Sequence, residues 1–245
     1  MSIAEKLTTV ATNQQKVYEA GKKAQEQAFW EKYQLPPNDY SYRFAGLGWY
    51  KGNFKPVKDM KPTTSARRMF IGFDYYEKGG SNFDLVEHLK ELDVTLDFSK
   101  CVDMQETFSS AHIGHIGVVD LTGTSKKHYG TFASAWIKKI DQIIVDEKKQ
   151  YDNLFASAAA LEEISITGTI GQNGFSTSPC KKLNKASIES FINALSMTTS
   201  ELSVTLSKTA VNSAFETSTG IADGSTSTEW ANLIATKPNW TISLV

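Results

Sequence analysis

Apolar or small residues recur at Ile3, Leu7, Val10, Val17, Gly21, Ala24 and Ala28, with Gln14 filling the one polar slot. The steps alternate four and three, and the residues between are mostly polar, which is a heptad pattern with a narrow apolar stripe. A stripe this thin predicts a coiled-coil seam rather than the wider face of a helix lying on a globular core. Leu and Val fill its first half and Gly and Ala its second, so helices could approach closely there. Gly21 costs about 1 kcal/mol in helix propensity relative to Ala. One such helix is marginal in water. The pattern therefore predicts a homo-oligomer, with a trimer favoured. The prolines of "FWEKYQLPPNDY" end the helix, which sets an oligomerisation segment over 1–34.

Over 35–80 the pattern becomes aromatic. Tyr40, Tyr42 and Phe44 alternate as in a strand before a Gly-rich turn, and "RRMFIGFDYY" reads as a second strand. Aromatic side chains bury large areas and can close the open end of a core. This segment is expected to be a linker and cap.

A third grammar fills 81–245. Phe108, Phe132 and Phe155 stand 24 and then 23 residues apart. Ser110, Ser134 and Ser157 follow at a constant offset, then Ala111, Ala135 and Ala158. Ile113, Ile137 and Leu161 come next, and Ile116, Ile140 and Ile164 close the unit. After each comes a β-branched run, "VVDL", "IIV" or "ISIT", which reads as a short strand. One strand per unit of 20–29 residues predicts a leucine-rich-repeat-like solenoid, because no single unit can bury its apolar face alone. The flanks read as caps. Leu85, Leu89 and Leu92 have helical spacing before "VTLDF". Ile188, Phe191, Ile192 and Leu195 have it before a strand of Leu202, Val204 and Leu206, and "NWTISLV" is a last strand. "GIADGSTSTEW" is turn chemistry. The expected class is α+β, a coiled-coil helix followed by a short solenoid with capping elements.

Composition narrows the function. With 26 basic and 27 acidic residues the chain has no field to gather phosphates, which argues against nucleic acid as a partner. No apolar run approaches the roughly 18 residues of a membrane span, and the start "MSIAEKLTTVATNQQ" lacks the apolar core of a secretory signal. Membrane insertion is not expected. Cys101 and Cys180 are too few for a disulfide framework or a zinc site and read as buried thiols.

Candidate chemistry is sparse. His112 and His115 form H-x-x-H, which needs a third ligand to hold a metal. In the repeat frame they align with Trp136 and Lys139, then Ala160 and Glu163, in a column expected to face solvent. An exposed Trp136 beside His112, His115 and Lys139 suits contact with a carbohydrate or protein. There is no H-E-x-x-H, G-x-S-x-G or Walker-type loop. Abundant carboxylates are compatible with a glycosidase pair but do not point to one. No catalytic residue, metal or cofactor is expected.

The Phe-x-Ser-Ala…Ile…Ile units resemble the bacterial-surface type of leucine-rich repeat found in adhesins of gut bacteria. The wider layout is similar to proteins encoded in phages and prophages of gut Firmicutes. There a front helix of the type "IAEKL…KVYEAGKKAQ…FW" precedes "YRFAGLGW", "LDFS", repeats and "TIGQNGFSTSPCKKLNKASIESFINALS". The resemblance spans nearly the whole chain. It implies an oligomeric virion component of the tail or baseplate, with other virion proteins as partners and a host-surface glycan or protein as a further one. The expected location is the virion. A bacterial surface adhesin or interaction module is the alternative, and an enzyme acting on wall glycans is a third.

Overall fold

The computed structural model describes residues 2–32, 38–42, 61–71, 96–123, 128–197, 201–215 and 227–245. The chain divides into two compact units, Met1–Pro36 and Pro37–Val245.

The first unit is helix α1, Ile3–Lys32. Its start is fixed by a reciprocal pair. Ser2 Oγ accepts from the Glu5 N–H at 3.2 Å, and Glu5 Oε2 accepts from the Ser2 N–H at 2.6 Å. Two otherwise unpaired donors are satisfied in this way, and the carboxylate lies at the positive end of the helix dipole.

In the second unit, β1 (Leu96–Asp97), β2 (His115–Asp120), β3 (Lys139–Val145) and β4 (Glu163–Gly168) form a parallel sheet in that order. Each crossover returns the chain through a turn built on one of the repeated phenylalanines. Phe70, Phe108, Phe132 and Phe155 are buried and stack with centroids 5.1, 5.2 and 5.4 Å apart. Phe175 and Phe191 continue the column at 6.0 and 4.9 Å, both tilted by 54°. The left-handed backbone recurs two residues before each Phe of the parallel stack, at Arg68, Glu106, Gly130 and Asn153, and two residues after, at Ser110, Ser134 and Ser157.

A second backbone ladder joins these turns. The N–H groups of Phe70, Phe108 and Phe132 donate to the carbonyls of Thr107, Thr131 and Leu154 at 2.7, 2.7 and 2.9 Å. The buried hydroxyls of Thr107 and Thr131 both reach the Met104 carbonyl, at 2.9 and 3.1 Å, so a buried acceptor is satisfied twice. At the strand ends Asp97, Asp120 and Asp146 accept from the N–H two residues on, at 3.1, 2.8 and 2.7 Å. These Asx turns bend the chain out of the sheet. Gly168, at φ +94°, ends β4 where a Cβ would stand 2.1 Å from the Val145 carbonyl oxygen.

No fifth strand pairs along β4 among the described residues; helix α2 (Lys185–Ala194) lies there instead. Ser187 Oγ accepts from the Ile164 N–H at 2.9 Å and Ser190 Oγ from the Ile166 N–H at 2.8 Å. Hydroxyls three apart on a helix share one face, and amides two apart in a strand share one edge, so the helix completes the edge with side chains. Asn184 caps α2, accepting from the Ser187 N–H at 2.9 Å.

Beyond α2 come β5 (Leu202–Leu206), α3 (Lys208–Phe215), α4 (Thr228–Ala235) and β6 (Trp240–Leu244), with β5 and β6 parallel. Trp230 packs on Phe215 at 5.3 Å. Lys237 Nζ donates to the carbonyls of Asn193 and Leu195, at 3.0 and 2.5 Å, which caps the negative end of α2 with a cation. Trp240 Nε1 donates to the Ser196 carbonyl at 2.9 Å. Cys101 and Cys180 are buried free thiols, pushed up to about 11 and about 12 by burial.

Three expectations are corrected. The class is not α+β with a coiled coil and a solenoid. The described residues form four helices and parallel sheets of four and two strands, an α/β-type arrangement. From Lys185 onward helices alternate with strands rather than repeating the earlier unit. A coiled coil is a relation between helices, and the first unit holds the single helix α1. Next, the described part of "RRMFIGFDYY", 67–71, is a turn rather than a strand, and Tyr42 sits in a turn at φ 57°. Phe44 and the helix expected at Leu85–Leu92 lie outside the described residues. Finally, "STEW" was read as turn chemistry, yet Ser227 accepts from the Trp230 N–H at 3.3 Å and caps α4.

Candidate binding surface

The parallel register sets His115 beside Lys139, and Lys139 beside Glu163, on the outer face of β2, β3 and β4. Asp141, two residues along β3, points the same way. His115 Nε2 lies 2.8 Å from Asp141 Oδ2, and Lys139 Nζ lies 3.4 Å from Asp141 Oδ1 and 3.5 Å from Glu163 Oε2. Partial burial pushes the Asp141 carboxyl up, but the hydrogen bond and charge of His115, with those of Lys139, outweigh it and leave the group below the usual carboxylate range. Asp141, and then Glu163, hold the Lys139 ammonium above its ordinary value.

Beside this row a groove of about 300 Å³ runs along Lys139, Asp141, Glu163 and Ser165, with Ser187 and Ser190 of α2 on its far wall. Those two serines are committed to the edge of β4. The groove therefore offers a partner the charged row and the Ser165 hydroxyl. Such a surface can bind a polar group by alternating donors and acceptors.

His112 is not where the repeat frame put it. It is 4% exposed, and its ring lies 5.5 Å from that of Trp136. His112 lies before β2, three residues from the outward His115, and packs against the Trp136 ring of the next unit. Trp136 itself is 44% exposed. His112 and His115 thus belong to different surroundings, one packed on Trp136 and one paired with Asp141. Among the described residues no group of three or more His, Cys, Asp or Glu could hold a metal ion.

The predicted seam residues lie on α1. Ile3, Val10 and Val17 are 79, 53 and 73% exposed, and Gln14, Gly21, Ala24 and Ala28 are exposed too. The Leu7 side chain is outside the described set. Val10, Asn13, Gln14, Val17 and Tyr18 line a shallow, largely apolar patch. No described helix is long and apolar enough to cross a membrane.

Asp141 was missed as part of the charged row. The strand predicted there, "IIV", begins only at Ile143, so neither Lys139 nor Asp141 was placed on a strand face. Ser187 and Ser190 carried no signal, because serine in a helix does not announce that it will receive strand amides. No family model, no curated protein and no solved structure matches this chain.

Proposed function

We propose that the protein is a non-enzymatic structural component of a phage virion, at the tail or baseplate. It self-associates through α1 and presents the Pro37–Val245 unit to a host-surface component or a neighbouring virion protein. One observation supports this most: α1 is thirty residues long, and Ile3, Val10 and Val17 stand exposed along one stripe of it. Residues of this kind repay their exposure only when another surface covers them. The likeness of "IAEKL…VYEAGK" and "GTIGQNGF" to phage- and prophage-encoded proteins of gut Firmicutes supplies the virion context. Several copies would turn weak single contacts into avidity.

Light scattering on the whole chain tests the first part. A mass of several chains that falls in Val10→Asp/Val17→Asp supports self-association through α1. An unchanged mass in that variant removes it. Mass spectrometry of purified particles tests the second part, and absence of the chain from particles removes the virion reading.

The alternative reading is a surface adhesin or interaction module, favoured by the exposed Trp136 beside His112. Loss of binding to host cells in Trp136→Ala, with no trace of the chain in particles, would select it.

A further inference from the structure

The fold treats two of its edge strands differently. The free edge of β4 is closed by Ser187 and Ser190. Strand β6 is paired with β5 and, among the described residues, with no other strand. The Asn239 carbonyl accepts from the Leu202 N–H at 3.1 Å. The Val245 N–H donates to the Leu206 carbonyl at 3.1 Å, and the Val245 carbonyl accepts from the Lys208 N–H at 2.8 Å.

In a parallel pair, alternate residues of one strand turn both backbone groups to the neighbour. Asn239, Thr241, Ser243 and Val245 therefore serve β5, and Trp240, Ile242 and Leu244 direct theirs away from it. The Trp240 N–H donates to the Lys237 carbonyl at 3.1 Å. The outward N–H and C=O groups of Ile242 and Leu244 meet no described partner. Exposed edges are usually blunted by charge, proline or a bulge. From Asn239 to Val245 there is no charged residue and no proline, and Thr241 and Ser243 are exposed.

We propose that β6 is an interface strand that pairs antiparallel with β6 of a second copy, about a two-fold axis at Ile242. The free groups fit this operator. Ile242 faces its counterpart and the two exchange both N–H···O bonds, as directly opposed residues of a hydrogen-bonded antiparallel pair do. Each Leu244 N–H reaches the opposite Trp240 carbonyl, so the one outward amide already engaged, that of Trp240, is not needed on either side. Thr241 lies opposite Ser243, and a neutral strand sets no like charges against each other. The result is a continuous sheet of β5, β6 and their counterparts through an isologous contact. It uses a different element from α1, so either association can stand without the other.

Amide exchange on the whole chain at two concentrations is the direct test, read at Ile242 and Leu244. Their protection should rise by about tenfold or more from dilute to concentrated protein. Light scattering on Val10→Asp/Val17→Asp should still show two chains, and adding Thr241→Lys/Ser243→Lys, which opposes lysine to lysine, should return it to one. Exchange at these two amides that is fast at both concentrations overturns the proposal. So does protection that does not depend on concentration, or a dimer that survives the lysine pair.

Discussion

Gly168 sits at φ +94°, with the Val145 carbonyl oxygen where a Cβ would go. Gly168→Ala should therefore cost at least about 1–3 kcal/mol from backbone conformation alone, read as a lower urea midpoint with an unchanged slope. His115 and Asp141 permit a subtler test. A carboxyl held below its unfolded value contributes stability that is present above the ordinary carboxylate range and is lost as pH falls through the depressed value. His115→Ala removes the main counterweight to Asp141's burial. Its carboxyl resonance should then titrate at higher pH, and stability should fall less steeply on acidification than in the parent. Other single residues were opaque to pattern reading. Ser110, Ser134 and Ser157 were legible as repeating positions, but not as the left-handed residues that turn the chain after each Phe. A small polar residue tolerates that conformation, and nothing in apolar spacing reveals φ. His112 was misplaced because the repeat frame put both histidines in one solvent-facing column, whereas residues three apart in extended chain face opposite ways and His112 packs on Trp136.

Among elements, the repeated Phe, Ala and Ile positions were legible because each is buried in every unit. Phe70 was not seen as a member of the column. The bridge from Ser65 to Asp103 skips a long intervening segment, so the period that joins the later units is broken there. Its neighbour in the column is nonetheless Phe108, almost parallel to it. Phe132 has a stacked ring on each side. Phe132→Ala should cost about 3–5 kcal/mol, the range for emptying a buried aromatic site. α2 is a different kind of element, a helix standing where a strand would stand. Ser187→Ala leaves the Ile164 amide without its acceptor, at about 1–3 kcal/mol, and the exchange rate of that amide should rise. Ser190→Ala should do the same at Ile166. A change in either amide without loss of α2 helicity separates edge coverage from simple helix stability.

At the scale of the whole molecule, the heptad-like stripe marked a helix and the prolines after it marked an end. The compact units of the chain are Met1–Pro36 and Pro37–Val245. The class was misjudged because one repeating unit was taken to run to the end with caps, while from Lys185 onward helices alternate with strands. The helices that alternate with β5 and β6 were partly hidden in segments that read as turns. The two thiols offer a way to follow this unit as it opens. Cys101 lies just after β1, and Cys180 lies before α2. Both are fully enclosed and raised well above the pH at which a thiolate attacks a reagent, so labelling of either reports a transient opening around it. They act as two clocks, one at each end of the Phe132–Phe155 stretch. If the cooperative core spans both, a thiol reagent should mark them at one common rate near the unfolding midpoint. If α2 peels first from β4, Cys180 should be marked before Cys101, and Ser187→Ala should widen the gap.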